Sequence, residues 1–275
     1  MDEQILHAIL REQEARLQTA SKFELPRRID FAEQFSYPEI SIIKGVRRSG
    51  KSVILQQLYR EAKKIGHALF VDFEDVRLDR FQAEDFELIY KIWLAESPNR
   101  KTHGYLFFDE VQNIVGWERW MNFFATQKKL KVFVTGSNSV MISAELGTFL
   151  TGRHIDNTIF PFSFSEIVHA ENPALLKAAR KSNAPLSLEQ RAEITKIFNR
   201  YFEFGGFPRV WTSRDLSFLG EYFMDILYRD IIRRHKIRDQ RALLELGHFL
   251  MSDLGRLINK SKLARDLDLK EQRTV

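Results

Sequence analysis

Gly45-Val46-Arg47-Arg48-Ser49-Gly50-Lys51-Ser52 fits the pattern GxxxxGK[ST] at every fixed position. The apolar run Ile40 to Ile43 precedes it, and a helical pattern over residues 52–65 follows it, so the loop sits where a strand hands over to a helix. In that setting the glycines let the backbone turn until successive N–H groups point inward, and the helix start adds the positive end of its dipole. Lys51 then brings an ammonium to the β- and γ-phosphates of a nucleotide, and Ser52 offers a hydroxyl to Mg²⁺. The candidate phosphate-binding residues are Gly45, Val46, Arg47, Arg48, Ser49, Gly50, Lys51, Ser52 and Val53.

Outward from this loop, short runs rich in Ile, Val and Phe recur at 68–73, 105–108, 132–134 and 158–160. Helix-length segments at 83–95 and 117–129 lie between them, as expected of buried parallel strands in an α/β sheet. Tyr105-Leu106-Phe107-Phe108 places Asp109 at a strand's C-terminal end, where a carboxylate can hold Mg²⁺, and Glu110 follows as a candidate base for the attacking water. Lys131-Val132-Phe133-Val134 ends in Thr135-Gly136-Ser137-Asn138, whose hydroxyls and amide suit a hydrogen bond to the γ-phosphate or to that water. Past Pro161 the strand signals fade, and helices are expected near 163–182, 187–204, 216–236 and 239–254. An amphipathic helix is expected over 4–20, with Ile5, Leu6, Ile9, Leu10 and Leu17 on its apolar face.

Composition closes off several chemistries. The chain has 275 residues and no cysteine, which excludes disulfides, thiolate metal sites and a cysteine nucleophile and makes a reducing cytoplasm the default. No apolar run approaches membrane-spanning length, and the start, with Asp2 and Glu3, does not read as a secretion signal. The net charge of +5 is regional: twelve Lys and Arg against seven Asp and Glu fall within 229–275, so residues 1–228 sum to zero. A regional surplus is either a solvated helical face or a footprint for an anionic partner. Trp117, Trp120, Phe123 and Phe124 recur at helical spacing and read as core. Glu166 and His169 are the best-spaced metal-type pair but lack a second pair, and Glu166 reads better as a cap or ion-pair partner.

Together GVRRSGK (45–51), FFDEVQNIVGW (107–117), VTGSNS (134–139), LTGRHIDNTIFPFSFSEI (150–167) and FGGFPRVW (204–211) resemble the bacterial and archaeal AAA-type ATPases of the STAND class. The resemblance covers about residues 25–235. It implies a parallel sheet in the order 5-1-4-3-2, ATP as nucleotide, Mg²⁺ on Ser52 and Asp109, Glu110 as catalytic base, and Ser137 and Asn138 as the sensor region. Arg153 falls where the family has a Gly-Arg pair, which implies a guanidinium on the transferring phosphoryl group, in cis or from a neighbouring subunit. Gly205-Gly206-Phe207-Pro208 is similar to the Gly-x-Pro signature of STAND lids.

The expected organisation is an N-terminal helical extension (1–33), a P-loop ATPase domain (34–160), a helical lid (161–215) and a basic helical region (216–275). That last region resembles the opening of a winged helix-turn-helix, with Leu263, Ala264 and Leu267 buried and a recognition helix starting at Lys270. Related proteins continue further, so the recognition helix is expected to be cut short and DNA contact through 229–275 to be weak and non-specific. The expected function is Mg²⁺-dependent ATP hydrolysis by a cytoplasmic protein, with oligomerisation an option. The alternative is a nucleotide-switched nucleic-acid-binding regulator with little turnover.

Overall fold

Five short strands, β1 (Ile40–Lys44), β2 (His67–Asp72), β3 (Gly104–Asp109), β4 (Leu130–Gly136) and β5 (His154–Thr158), pair in parallel in the order β2-β3-β4-β1-β5. This is the expected order read from the other edge. The computed structural model describes residues 1–18, 25, 27, 31–36, 38–97, 103–127, 129–136, 154–181, 185–255 and 257–266. The chain divides into two compact units, Met1–Asp215 and Leu216–Val275.

Alternation along the strands sends side chains to two cores. Ile42, Val71, Leu106, Phe108, Val132 and Val134 face one side, under helices α1 (Glu3–Leu17), α4 (Phe86–Glu96) and α5 (Trp117–Thr126). Ile43, Phe70, Tyr105, Phe107 and Phe133 face the other, under α3 (Lys51–Ile65), with Phe35 of α2 (Phe31–Ser36) packed against them. Phe107 and Phe133 are fully buried and stack with centroids 4.8 Å apart, while Tyr59 of α3 meets Phe107 edge-on at 5.7 Å. Strands covered on both faces have no place for polar alternation, so β2, β3 and β4 read as apolar runs.

The edge strand β5 departs from the expected apolar run at 158–160. It lies earlier, at His154–Thr158, where Ile155 is the one apolar residue and none is fully buried, unlike the other edge strand, β2. Helix α1 is present, but Ile5 is exposed, and Gln13 takes a buried place beside Leu6, Ile9, Leu10 and Leu17. Within α5, Trp117 and Phe124 are buried as expected, whereas Phe123 lies on the rim.

The expected helix 163–182 is two helices, α6 (Phe164–Glu171) and α7 (Pro173–Arg180), because the Asn172 side chain caps Leu175 N–H and Pro173 starts a new first turn. α8 (Leu188–Phe204) and α9 (Pro208–Ser213) complete the first unit. In the second unit an α-helix over Ser217–Asp225 runs into a π-helical stretch, Ile226–Ile232, and a turn at Arg233–His235. Helices Gln240–Ser252 and Lys260–Asp266 follow, with Leu263 and Ala264 buried as expected. Leu267 and the recognition helix expected from Lys270 lie outside the described residues.

Removing the Phe107 ring should therefore leave a cavity between α3 and the sheet. Phe107→Ala is expected to cost about 3–5 kcal/mol in equilibrium urea unfolding, against roughly 0.5 kcal/mol or less for the exposed Ile5→Ala. Equal losses would mean that the two-faced core is wrongly drawn.

Candidate nucleotide site

The loop between β1 and α3 has the backbone that its glycines permit. Gly45 has φ +156°, and a Cβ there would lie 2.0 Å from the carbonyl oxygen of Ile159, so no larger residue fits without moving the chain after β5. Gly50 is left-handed at φ +97°, and Ile54 N–H bonds its carbonyl at 3.1 Å to open α3. Between them Ser49 N–H closes a turn on Val46 O at 3.2 Å. Lys51, largely buried, reaches back over the loop and donates from Nζ to Val46 O at 3.2 Å. Its ammonium is thereby held over the loop whose amides would meet phosphate.

Two neighbouring strand ends complete the site. Asp109, 4% exposed, accepts from Ser52 Oγ at 3.2 Å and from the Thr135 hydroxyl at the end of β4. The same Thr135 oxygen accepts from Glu110 N–H at 3.0 Å. Glu110 turns the chain with a left-handed φ of +50°, and its carboxylate accepts from the Gln112 amide. Burial, more than any neighbour, pushes the Asp109 carboxyl up to about 7; the Glu110 and Asp72 charges raise it further, and the Thr135 and Ser52 hydroxyls oppose. Asp72, paired in register with Asp109, is also raised, chiefly by burial. Glu74 is raised by burial and then by Glu110 and Asp72, against the pull of Arg47 and Arg48. Ser52 and Asp109 form a hard-oxygen pair suited to Mg²⁺, which takes one or two protein oxygens and fills its octahedron with water and phosphate.

Sequence reasoning missed Arg27. Its side chain is 5% exposed, and the guanidinium donates to Ser49 O at 2.8 Å, to Phe160 O, and to both carboxylate oxygens of Glu166 at 3.2 and 3.3 Å, and lies 4.5 Å from the centroid of the Phe162 ring. A cavity of about 480 Å³ opens beside it, walled by Ile54 of α3, Thr158 to Pro161 and the start of α6. Pro208, from the Gly-Gly-Phe-Pro segment, comes close to the loop: its Cγ lies 3.5 Å from where a Cβ on Gly50 would be. The sequence marks Gln13 of α1 only as a helical position. It donates to Asp72 O and to Asp75 Oδ2, both at 3.1 Å, and accepts from Asp72 N–H at 2.9 Å, which fixes the end of β2.

The structure thus brings Lys51, Ser52, Asp109 and Glu110 to one edge of the sheet. Ser137, Asn138 and Arg153 lie outside the described residues. Asp156 forms an ion pair with Lys44. Glu166 pairs with Arg27 and accepts from Ser163 N–H at 2.9 Å, so it serves as both ion-pair partner and cap. Among the described residues no cluster of three or more His, Asp or Glu could hold a metal.

The raised pKa of Asp109 has a definite sign. An unfolded aspartate titrates near 4, so the folded chain binds this proton more tightly, and stability falls as pH rises from about 4 through 7. Asp109→Asn should accordingly be more stable than the wild type by about 1–3 kcal/mol at pH 8 in urea unfolding without nucleotide or Mg²⁺, with the gap closing toward pH 4. A gap independent of pH would show that Asp109 does not carry this penalty.

Residues 37–168 match the family model of an AAA domain, and residues 195–275 match that of a domain of unknown function. An uncharacterized protein of Haemophilus influenzae is 30% identical over 236 residues, covering 83% of this chain and 55% of the relative. Another, of Methanocaldococcus jannaschii, is 30% identical over 230 residues, covering 82% and 49%. The chain spans about half the length of the curated relatives it matches. Among solved structures, the S. cerevisiae Hsp104–ADP complex superposes with a TM-score of 0.48 at 18% identity, over 95% of this chain and 39% of that one. The Thermotoga maritima RuvB Holliday junction branch migration motor gives 0.41 at 14%, over 94% and 87%. The parallel sheet in the order β2-β3-β4-β1-β5 and the glycine loop between β1 and α3 give the chain an α/β fold of the P-loop type, and residues 37–168 within it are similar to an AAA domain.

Proposed function

We propose that the chain binds and hydrolyses ATP with Mg²⁺. The observation that carries this reading is the meeting of the first turn of α3 with the end of β3: Ser52 Oγ stands 3.2 Å from Asp109 Oδ1, and Lys51 and Glu110 are their neighbours in the chain. Lys51 and the loop amides would bind the β- and γ-phosphates, and Ser52 and Asp109 would hold Mg²⁺. Bound there, the ion supplies neutralisation of phosphate charge. Glu110 would orient and deprotonate the attacking water, its main chain fixed by Thr135 and its carboxylate steadied by Gln112. Ser137 and Asn138 would sense the γ-phosphate, and Arg153 would meet charge developing on the phosphoryl group, in trans if the chain oligomerises. Adenine as the base, a cytoplasmic setting and a STAND-type lid over 161–215 belong to the same reading, the lid supported by the approach of Pro208 to Gly50.

Lys51→Ala is expected to lose affinity for a fluorescent ATP analogue. Glu110→Gln should keep that affinity and lose turnover by about 10²- to 10⁴-fold, roughly 3–5 kcal/mol of barrier, because it acts on the water. Phosphate release checks this, and full turnover in Glu110→Gln would remove the residue from catalysis.

A second reading, a regulator that touches nucleic acid, is favoured by the charge surplus in residues 229–275, where the Arg229 and Arg241 side chains are 63% and 90% exposed. If about four such cations reach phosphates, the log–log salt slope is near −3.6, and affinity for duplex DNA falls about 150-fold between 50 and 200 mM salt. Fluorescence anisotropy with two unrelated duplexes should give the same curve for both. Absence of binding at 50 mM would return these residues to a solvated face.

A further inference from the structure

We propose that Arg27 is a positioning residue which, through Glu166, couples the phosphate-binding loop to helix α6 and so sets the affinity for the β-phosphate. The proposal rests on the nucleotide reading of the loop and adds a residue that no motif contains. Arg27 makes its contacts with three segments far apart in sequence: Ser49 O in the loop, Phe160 O just past β5, and the Glu166 carboxylate in the first turn of α6. The Phe162 ring closes one face of the guanidinium. A trans peptide unit is planar and points its C=O and N–H in opposite directions. By holding Ser49 O on one side, Arg27 therefore fixes the Gly50 N–H on the other, at the start of α3, where the amides of such a loop take up phosphate. Ser49 itself is completely buried, so its peptide plane is packed as well as bonded.

Glu166 extends this constraint to the lid. Its carboxylate accepts from Ser163 N–H at 2.9 Å and Ser163 Oγ at 3.0 Å, which ties it to the N-terminus of α6 while it holds Arg27. Displacement of α6 would pull on the guanidinium, and through Ser49 O on the Gly50 peptide plane. Arg27 and Glu166 also wall the 480 Å³ cavity beside the loop, so a nucleotide reaching from the loop into that cavity would meet both ends of the coupling. Lysine cannot replace this arrangement, because one ammonium cannot satisfy two carbonyls and a bidentate carboxylate in a single plane.

The experiment measures binding of ADP and AMP to wild type, Arg27→Lys, Glu166→Gln and the double variant by isothermal titration calorimetry, with circular dichroism and thermal unfolding of each. Only ADP carries the β-phosphate that the Gly50 amide would meet. Arg27→Lys is expected to weaken ADP about tenfold or more and AMP by less than about threefold, so that the ADP-to-AMP affinity ratio collapses. Glu166→Gln should do the same more weakly, and the double variant should lose no more than Arg27→Lys alone, since both act along one path. If Arg27→Lys does not fold, the isosteric Glu166→Gln carries the same readout. An unchanged ADP affinity in a folded variant, or equal losses for ADP and AMP, would overturn the coupling and leave the nucleotide reading intact. Failure of the wild type to bind either nucleotide would overturn that reading and this proposal with it.

Discussion

A carboxylate buried at the end of an apolar strand is the constraint around which this fold is arranged. Strand β3 is buried along its whole length, and Asp109 ends it with 4% exposure. Ionised, that group is costly in an apolar setting, and two hydroxyls offset the cost only in part. The flanking elements are fixed accordingly: β4 must end where Thr135 can donate to Asp109, and α3 must begin where Ser52 can do the same. A one-residue slip of β4 would turn its side-chain pattern to the wrong face. The site is thus a consequence of register, which the two phenylalanine-rich cores enforce.

How much of this was legible in the sequence follows from which groups carry the information. Side chains with a fixed spacing were readable: Lys51 and Ser52 after the glycines, and Asp109 and Glu110 after four apolar residues. Strands covered on both faces were readable too, since burial leaves an apolar run. β5 lies off the expected run because none of its residues is fully buried, and His154-Ile155-Asp156-Asn157-Thr158 shows little apolar signal. The break at Asn172-Pro173 had a signal, a capping residue before proline, which the helical pattern around it masked. Arg27 had none. Two of its partners are main-chain carbonyls, 22 and 133 residues away, and a carbonyl leaves no mark on a sequence. Gln13 escaped notice for the same reason, since two of its three contacts are to the main chain of Asp72.

These two unread residues do related work on opposite sides of the sheet edge. Gln13 satisfies both backbone groups of Asp72, where β2 would otherwise fray, and so holds the segment that carries Glu74 toward Glu110. Arg27 satisfies carbonyls in the glycine loop and after β5, where no strand partner reaches them. In both places a side chain with several donors substitutes for a missing ladder, as buried backbone groups require.

The charges along this edge explain the composition of the loop itself. Asp72, Glu74, Asp109 and Glu110 lie along one edge, and the first three are all raised, with burial the leading cause. Such a group would repel an anionic ligand on its own. Arg47 and Arg48 act on Glu74 in the opposite sense, and Lys51 sits among the loop carbonyls. Arg48 adopts a left-handed φ of +67°, a conformation that costs a side-chain-bearing residue free energy. An arginine at that strained position is accounted for if its cationic charge near the Glu74 carboxyl outweighs the backbone penalty. Two variable positions of the loop, Arg47 and Arg48, thus answer to the carboxyl of Glu74 that follows β2.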